Sequence, residues 1–185
     1  MDNDNNLREG SWIAVQVRSG CEHAVQSGLQ QTGYEEFLPT AVVRQSRRGT
    51  VRRVRSALFP GYIFCRYIRY PRFRIVEIPG VIRLVGIGKT PLAIPETEIE
   101  SIRRVVDSGV FAEPWDHIQT GQTVVVKNGP LKGLRGTFMR RSQTERLIVG
   151  VQLLGRAVAV EVNSNDVRPV KSPVSEPADL ALSVR

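Results

Sequence analysis

Histidine, cysteine and methionine are scarce in this chain, each occurring twice in 185 residues. Neither His23 nor His117 falls in a Ser/His/Asp or Cys/His arrangement, so acid–base and nucleophilic catalysis have little to build on. Cys21 and Cys65 lie far apart and have no C-x-x-C spacing. That argues against a disulfide framework or a zinc site and for free thiols in a reducing cytosol. Cys21-x-His23 is at most half a metal site, because no second pair follows it. No apolar run approaches a membrane span, and the polar start Met1–Glu9 has no signal-peptide core. The expectation is a soluble, cytoplasmic binding protein with no cofactor, no metal and no membrane partner. An enzyme is not expected.

Acidic residues are also missing from one whole stretch, Leu38 to Val76. The same stretch holds Arg44, Arg47, Arg48, Arg52, Arg53, Arg55, Arg66, Arg69, Arg72 and Arg74. The chain is +8 overall, so everything outside these ten arginines is net −2. The basicity belongs to one region and favours a polyanionic partner. Within it, Ala57–Arg74 (A-L-F-P-G-Y-I-F-C-R-Y-I-R-Y-P-R-F-R) contains three of the six Phe and three of the four Tyr. Leu58, Phe59, Ile63, Phe64 and Ile68 read as a strand, with Pro60-Gly61 marking an edge or bulge near its start. Rings then alternate with arginine, which suits a macromolecular partner. The plainer alternative is a core strand with a basic exit loop.

Taken in order, Met1–Gly10 reads as a disordered leader and Ser11–Val17 as a first strand. Gly20–Gln31 reads as a helix burying Ala24, Val25 and Leu29, ended by Gly33. Glu36–Leu38 opens a second strand. Val42–Val54 reads as a two-sided polar hairpin around Arg48-Gly49-Thr50, projecting as a basic arm. Val81–Gly86 is a further strand, and Glu96–Ser108 is a helix carrying Ile99, Ile102, Val105 and Val106 at helical spacing. The order β-α-β-β-α-β predicts an α+β, ferredoxin-like α/β sandwich over 11–109. Val110–His117, with Pro114 and no period, reads as a linker. Short strands with Gly-rich turns over 118–170 predict a small all-β barrel that is net +5, and 171–185 reads as a disordered tail. Gly129–Gly133 (G-P-L-K-G) lacks phosphate-loop spacing and reads as a turn.

Gly121–Gly136 (G-Q-T-V-V-V-K-N-G-P-L-K-G-L-R-G) resembles the KOW motif. Trp12, Ser19-Gly20 with Glu22, Phe37-Leu38-Pro39, Leu58–Tyr62 and Ile78–Val81 occur in the order seen in the NusG N-terminal (NGN) domain. With Leu154-Gly155-Arg156 and Val160-Glu161, the resemblance spans about Trp12 to Val170. It implies an NGN domain followed by an SH3-like KOW barrel, and a bacterial transcription elongation factor. RNA polymerase would be held at its β′ clamp helices and β gate loop, with Trp12, Phe59 and Tyr62 as matching contact positions. The resemblance also places Arg18, Arg72 and Arg74 near non-template DNA. The hairpin arginines Arg47, Arg48, Arg52 and Arg53 can reach upstream DNA or RNA.

In the barrel, Leu131, Leu153, Leu154 and Arg156 match positions that bind ribosomal protein S10 or, in housekeeping members, Rho. Leu131 and Leu154 stand where housekeeping members tend to have Phe, which argues against Rho. L-F-P-G-Y-I-F-C-R and Pro114-Trp115, with R-L-I-V-G-V-Q-L-L and V-A-V-E-V, look closest to UpxY-like antiterminator paralogues. The alternatives are a housekeeping NusG and, in another class, a KOW-type RNA-binding or ribosome-associated protein.

Overall fold

The computed structural model describes residues 7–47, 50–71, 74–115, 121–141, 144–151 and 154–170, without the side chains of 43–47, 50–53, 140, 141, 144 and 151. The N-terminal half runs β1 (Trp12–Val17), α1 (Glu22–Gln31), β2 (Glu36–Phe37), β3 (Thr40–Arg47), β4 (Thr50–Ala57), β5 (Tyr62–Arg66), β6 (Val81–Leu84), β7 (Gly86–Ile87), β8 (Thr90–Pro91) and α2 (Glu96–Asp107). Four of these strands form one sheet in the order β2-β5-β1-β6.

Strand β1 is buried at every position except Gln16, which is half-buried. Its period of two sends Trp12 and Ala14 to one face and Ile13, Val15 and Val17 to the other. Strand β5 pairs antiparallel with it, Phe64 opposite Ala14 and Ile63 opposite Val15. Helix α1 covers the second face with Val25 and Leu29, and α2 covers the first with Ile99, Ile102 and Val105. The helices therefore lie on opposite faces, in three layers. A ferredoxin-like unit segregates its helices to one face; here apolar residues at successive positions of β1 and β5 require cover on both.

Three details differ from the sequence reading. Leu58 and Phe59 precede β5 in a bend and Ile68 lies beyond its end, the strand itself spanning Tyr62–Arg66. Ala24 is exposed, whereas Val25 and Leu29 are buried as expected. Val106 is only partly buried on the rim of the α2 stripe. Gly33 does follow α1 in the left-handed region, at φ +84°. Strands β3 and β4 form a separate two-stranded ribbon with Arg47 paired to Thr50. Its foot is fixed where the Leu58 amide donates to the Pro39 carbonyl at 2.8 Å.

The C-terminal half is a second antiparallel sheet of β9 (Ala112–Trp115), β10 (Gln122–Val126), β11 (Arg135–Arg141), β12 (Thr144–Val151), β13 (Arg156–Glu161) and β14 (Val167–Pro169), in the order β14-β10-β11-β12-β13-β9. Part of the expected linker is therefore strand: Ala112–Trp115 pairs with Ala157–Val160. Pro114 is tolerated because β9 is an edge. Arg146 fixes this edge by pairing with Glu113 and lying 5.6 Å over the Trp115 ring. Gly136 is packed so closely that a Cβ there would sit 2.6 Å from the Ile148 carbonyl oxygen.

The two halves share a core. Trp12, Phe59, Phe64 and Ile99 belong to one buried cluster with Val124, Leu131, Val149 and Val158. Helix α2 packs on β12, and the Arg104 guanidinium donates to the Lys132 carbonyl.

Phe64, fully buried between Phe37 and Phe59, tests this core. Phe64→Ala is expected to lose about 3–5 kcal/mol of stability in urea denaturation. Tyr70→Ala, at a side chain 87% exposed, is expected to change it by under about 0.5 kcal/mol.

Candidate functional site

The aromatic face of the first sheet is built around Trp12. Its indole Nε1 donates to Glu96 Oε1 at 3.0 Å, tying β1 to the start of α2. Glu96 is gripped by Arg66 of β5 through two hydrogen bonds, Nη1 to Oε2 at 2.6 Å and Nη2 to Oε1 at 2.9 Å. The same guanidinium lies 4.3 Å over the Trp12 ring and donates to the Gly10 carbonyl. Arg103 of α2 lies 4.8 Å over Phe37 and 5.8 Å over Trp12. Its Nε is buried with no hydrogen-bond partner among the described residues, so the ring faces are what it packs against. Phe37 meets Trp12 edge-on, and Phe59 meets Phe64 edge-on at 5.4 Å.

The charges at this knot reinforce one another. Hydrogen bonding by Arg66, more than any other cause, holds the Glu96 carboxyl below its ordinary range; the Trp12 bond and the nearby positive charges add to that. Reciprocally, the bond to Glu96 raises the Arg66 guanidinium. None of Arg66, Glu96 and Arg103 stood out in the sequence as a site residue. Nothing in the sequence marks Glu96 as the partner of an arginine thirty residues earlier.

The expected site residues separate into three groups. Trp12 and Phe59 are each 1% exposed. They line the core of the aromatic face and offer no free surface in this arrangement; Tyr62 is half-buried on its margin. Arg18 and Arg74 are exposed. Arg47, Arg52 and Arg53 lie on the β3–β4 ribbon, with Arg53 paired to Arg44 and Arg52 to Gln45; their side chains are outside the described residues, as are Arg48, Arg72 and Leu153 altogether.

Of the expected partner-binding positions in the second sheet, Leu131 is 3% exposed and sits in the shared core. Leu154 packs partly against that core, and Arg156 is half-buried with an interaction partner. The structure thus brings Trp12, Phe59, Tyr62, Leu131 and Leu154 to one cluster, while the exposed arginines lie elsewhere.

Among the described residues no group of three or more His, Cys, Asp or Glu is placed to hold a metal, and no helix is long and apolar enough to cross a membrane. The described residues of this region combine an aromatic face with an arginine-rich ribbon sequence. Comparison with known proteins gives the family. The model of the family described as "Transcription termination factor nusG" matches residues 10–103.

The transcription termination/antitermination protein NusG of Pseudomonas aeruginosa is 29% identical over 173 residues, covering 86% of this chain and 98% of that protein. The NusG of Rickettsia felis is 26% identical over 178 residues, covering 89% and 92%. The solved structure titled "Domain interaction in Thermotoga maritima NusG" covers 88% of this chain and 98% of its own, at a TM-score of 0.52 and 21% identity, a likeness of fold. The chain belongs to the NusG family of transcription termination/antitermination factors, which are non-enzymatic.

The knot has a pH signature. Glu96 has a lowered folded pKa, so its contribution is present above the ordinary carboxylate value of 4.5 and lost as pH falls through the folded value. Glu96→Gln is therefore expected to be less stable than the parent at pH 7. That difference should shrink to nothing in thermal melts taken at progressively lower pH.

Proposed function

We propose that this chain is a specialised, UpxY-like NusG paralogue that binds RNA polymerase and suppresses pausing or termination. In this reading the first sheet with its two helices is the NGN unit and the second sheet is the SH3-like KOW unit. The observation that carries the proposal is the aromatic face itself. Tyr62 lies at the edge of the Trp12–Phe37–Phe64–Phe59 cluster, inside the span that matches the family model. A half-buried tyrosine on a rigid aromatic platform is the kind of anchor that dominates an interface, because it adds contact area at little conformational cost. The partner would be the β′ clamp helices, with the β gate loop on the opposite wall of the cleft. Bridging the two walls favours the closed, elongating polymerase only to the extent that the factor binds that state more tightly.

Burial alters which residues make that contact. Phe59 supports the platform from within, and Tyr62 carries the surface. The C-terminal unit packs on α2 and places Leu131 in the same cluster. Full engagement of polymerase, or of ribosomal protein S10 at Leu131, Leu154 and Arg156, would therefore require the two units to part. Leucine in place of phenylalanine at positions 131 and 154 leaves apolar contact without aromatic anchors, which favours the specialised paralogue over a housekeeping, Rho-recruiting NusG. Arg18 and Arg74, with Arg72 and the ribbon arginines, would lie along non-template and upstream DNA.

Binding to purified RNA polymerase tests this directly. Tyr62→Ala is expected to weaken binding about thirtyfold, the loss of a 2 kcal/mol hot spot, without a change in circular dichroism. Arg104→Glu, which removes a bond between the units, is expected to bind more tightly than the parent. Unchanged binding by folded Tyr62→Ala would refute the contact.

A further inference from the structure

Three short turns meet at one end of the first sheet, and only one of them holds a proposed contact residue. Arg18–Cys21, Phe59–Tyr62 and Ile78–Val81 are each closed by a bond from the last amide to the first carbonyl, at 2.9, 3.0 and 3.1 Å. The third residue of each is a glycine with positive φ, +81° at Gly20, +80° at Gly61 and +98° at Gly80. In the second and third turns a proline precedes that glycine, the pattern of a type II turn.

The chain leaving β1 is bonded to both Pro-Gly turns. The Val17 amide donates to the Gly61 carbonyl at 2.9 Å, and the Arg18 amide donates to the Gly80 carbonyl at 2.9 Å. Packing against the third turn is tight. A Cβ added at Gly80 would lie 3.0 Å from Cys21 Cβ, and one added at Gly28 of α1 would lie 2.6 Å from Ile78 Cγ2. A hydrogen bond then crosses from the helix to the second turn. Glu22, the half-buried first residue of α1, accepts from the Gly61 amide through Oε1 at 2.9 Å.

The closing bond of that turn uses the Tyr62 amide, so the Gly61 N–H needs an acceptor from outside it. Glu22 supplies one. The turn is thereby tied to β1 by the Gly61 carbonyl, to α1 by the Gly61 amide and to itself by the Tyr62 amide. Its ends are Phe59, which supports the aromatic face from within, and Tyr62, which starts β5 at the margin of that face. A turn held in this way presents both rings with little ordering left for association to accomplish.

We propose that Glu22 is a positioning residue for the polymerase contact. It acts through the Gly61 amide, by holding the Phe59–Tyr62 turn in its binding geometry. The proposal rests on the reading of Tyr62 as the polymerase anchor. It also gives the other two turns a purpose: they seat the start of α1 where Glu22 reaches Gly61. A carboxylate in the first turn of a helix suits the helix dipole as well, and the two roles part on substitution. Glutamine keeps an accepting oxygen and loses the charge.

Affinity for purified RNA polymerase tests this on the full chain, with Glu22→Ala, Glu22→Gln, Tyr62→Ala and Glu22→Ala/Tyr62→Ala each checked for folding by circular dichroism. Glu22→Ala is expected to bind about fivefold more weakly, the worth of a single net hydrogen bond. Glu22→Gln should restore most of that loss, which a dipole role would not allow. In the Tyr62→Ala background the loss from Glu22→Ala should nearly vanish, because a residue acting through another adds nothing once the other is gone. The Gly61 amide should exchange with deuterium about tenfold faster in Glu22→Ala than in the parent.

Parent affinity in folded Glu22→Ala, or an equal loss with and without Tyr62, would overturn the positioning role while leaving the Tyr62 contact standing. Failure of the polymerase reading looks different. Tyr62→Ala would then bind like the parent although Glu22→Ala still exposes the Gly61 amide, and both proposals would fall.

Discussion

Helix α2 has one apolar stripe and two sheets competing to cover it. Ile99, Ile102 and Val105 sit in a single buried cluster with Trp12, Phe59 and Phe64 of the first sheet and Leu131, Leu147 and Val149 of the second. Everything else in the arrangement follows from that sharing. The first sheet is apolar on both sides and needs a helix on each. Helix α1 is committed to its own face, whereas α2 has a second neighbour. A helix so placed couples the two halves: whatever contacts the aromatic face of the first sheet must contend with the packing of the second.

Polar groups at the edge of that core set its orientation. The Trp12–Glu96–Arg66 knot joins β1, β5 and the first turn of α2, and the Arg104 bond to the Lys132 carbonyl joins the other end of the helix to the second sheet. The knot uses a charge-assisted, bidentate pair, the stronger kind of hydrogen bond. Both the Arg66–Glu96 pair and the Arg104 bond lie at exposed edges, where such pairs contribute little. The knot, however, adds the Trp12 bond and two hydrogen bonds where Arg104 makes one. The helix is thus held more firmly to the first sheet than the second sheet is held to the helix. Any separation would break the α2–β12 contact and the packing of β9 on β3.

Much of this was legible in the sequence. The β-branched run at Trp12–Val17 and the apolar and aromatic residues between Leu58 and Ile68 announce strands, and the spacing of Ile99, Ile102 and Val105 announces a helix. The absence of carboxylates from Leu38 to Val76 announces the basic face. Other features stayed hidden for physical reasons. Ala112–Trp115 contains a proline and no alternation, so only its pairing with β13 reveals a strand.

Leu131 and Phe59 are apolar residues whose types suit a partner-binding patch and a shared core equally well, and only the structure shows that both are buried in this arrangement. The Arg66–Glu96 and Trp12–Glu96 contacts are non-local. Each is created by the fold from positions that look ordinary in isolation.

One distance tests the dependence of polymerase binding on the α2–β12 contact most directly. With Cys21→Ser to remove the accessible native thiol, spin labels at Glu100→Cys on α2 and Arg135→Cys on β11 face each other across the cleft between the two units. The free protein is expected to give one short, narrow distance by double electron–electron resonance, and saturating RNA polymerase is expected to lengthen and broaden it. A short distance that persists while polymerase is bound through Tyr62 would contradict the claim that the two units must part.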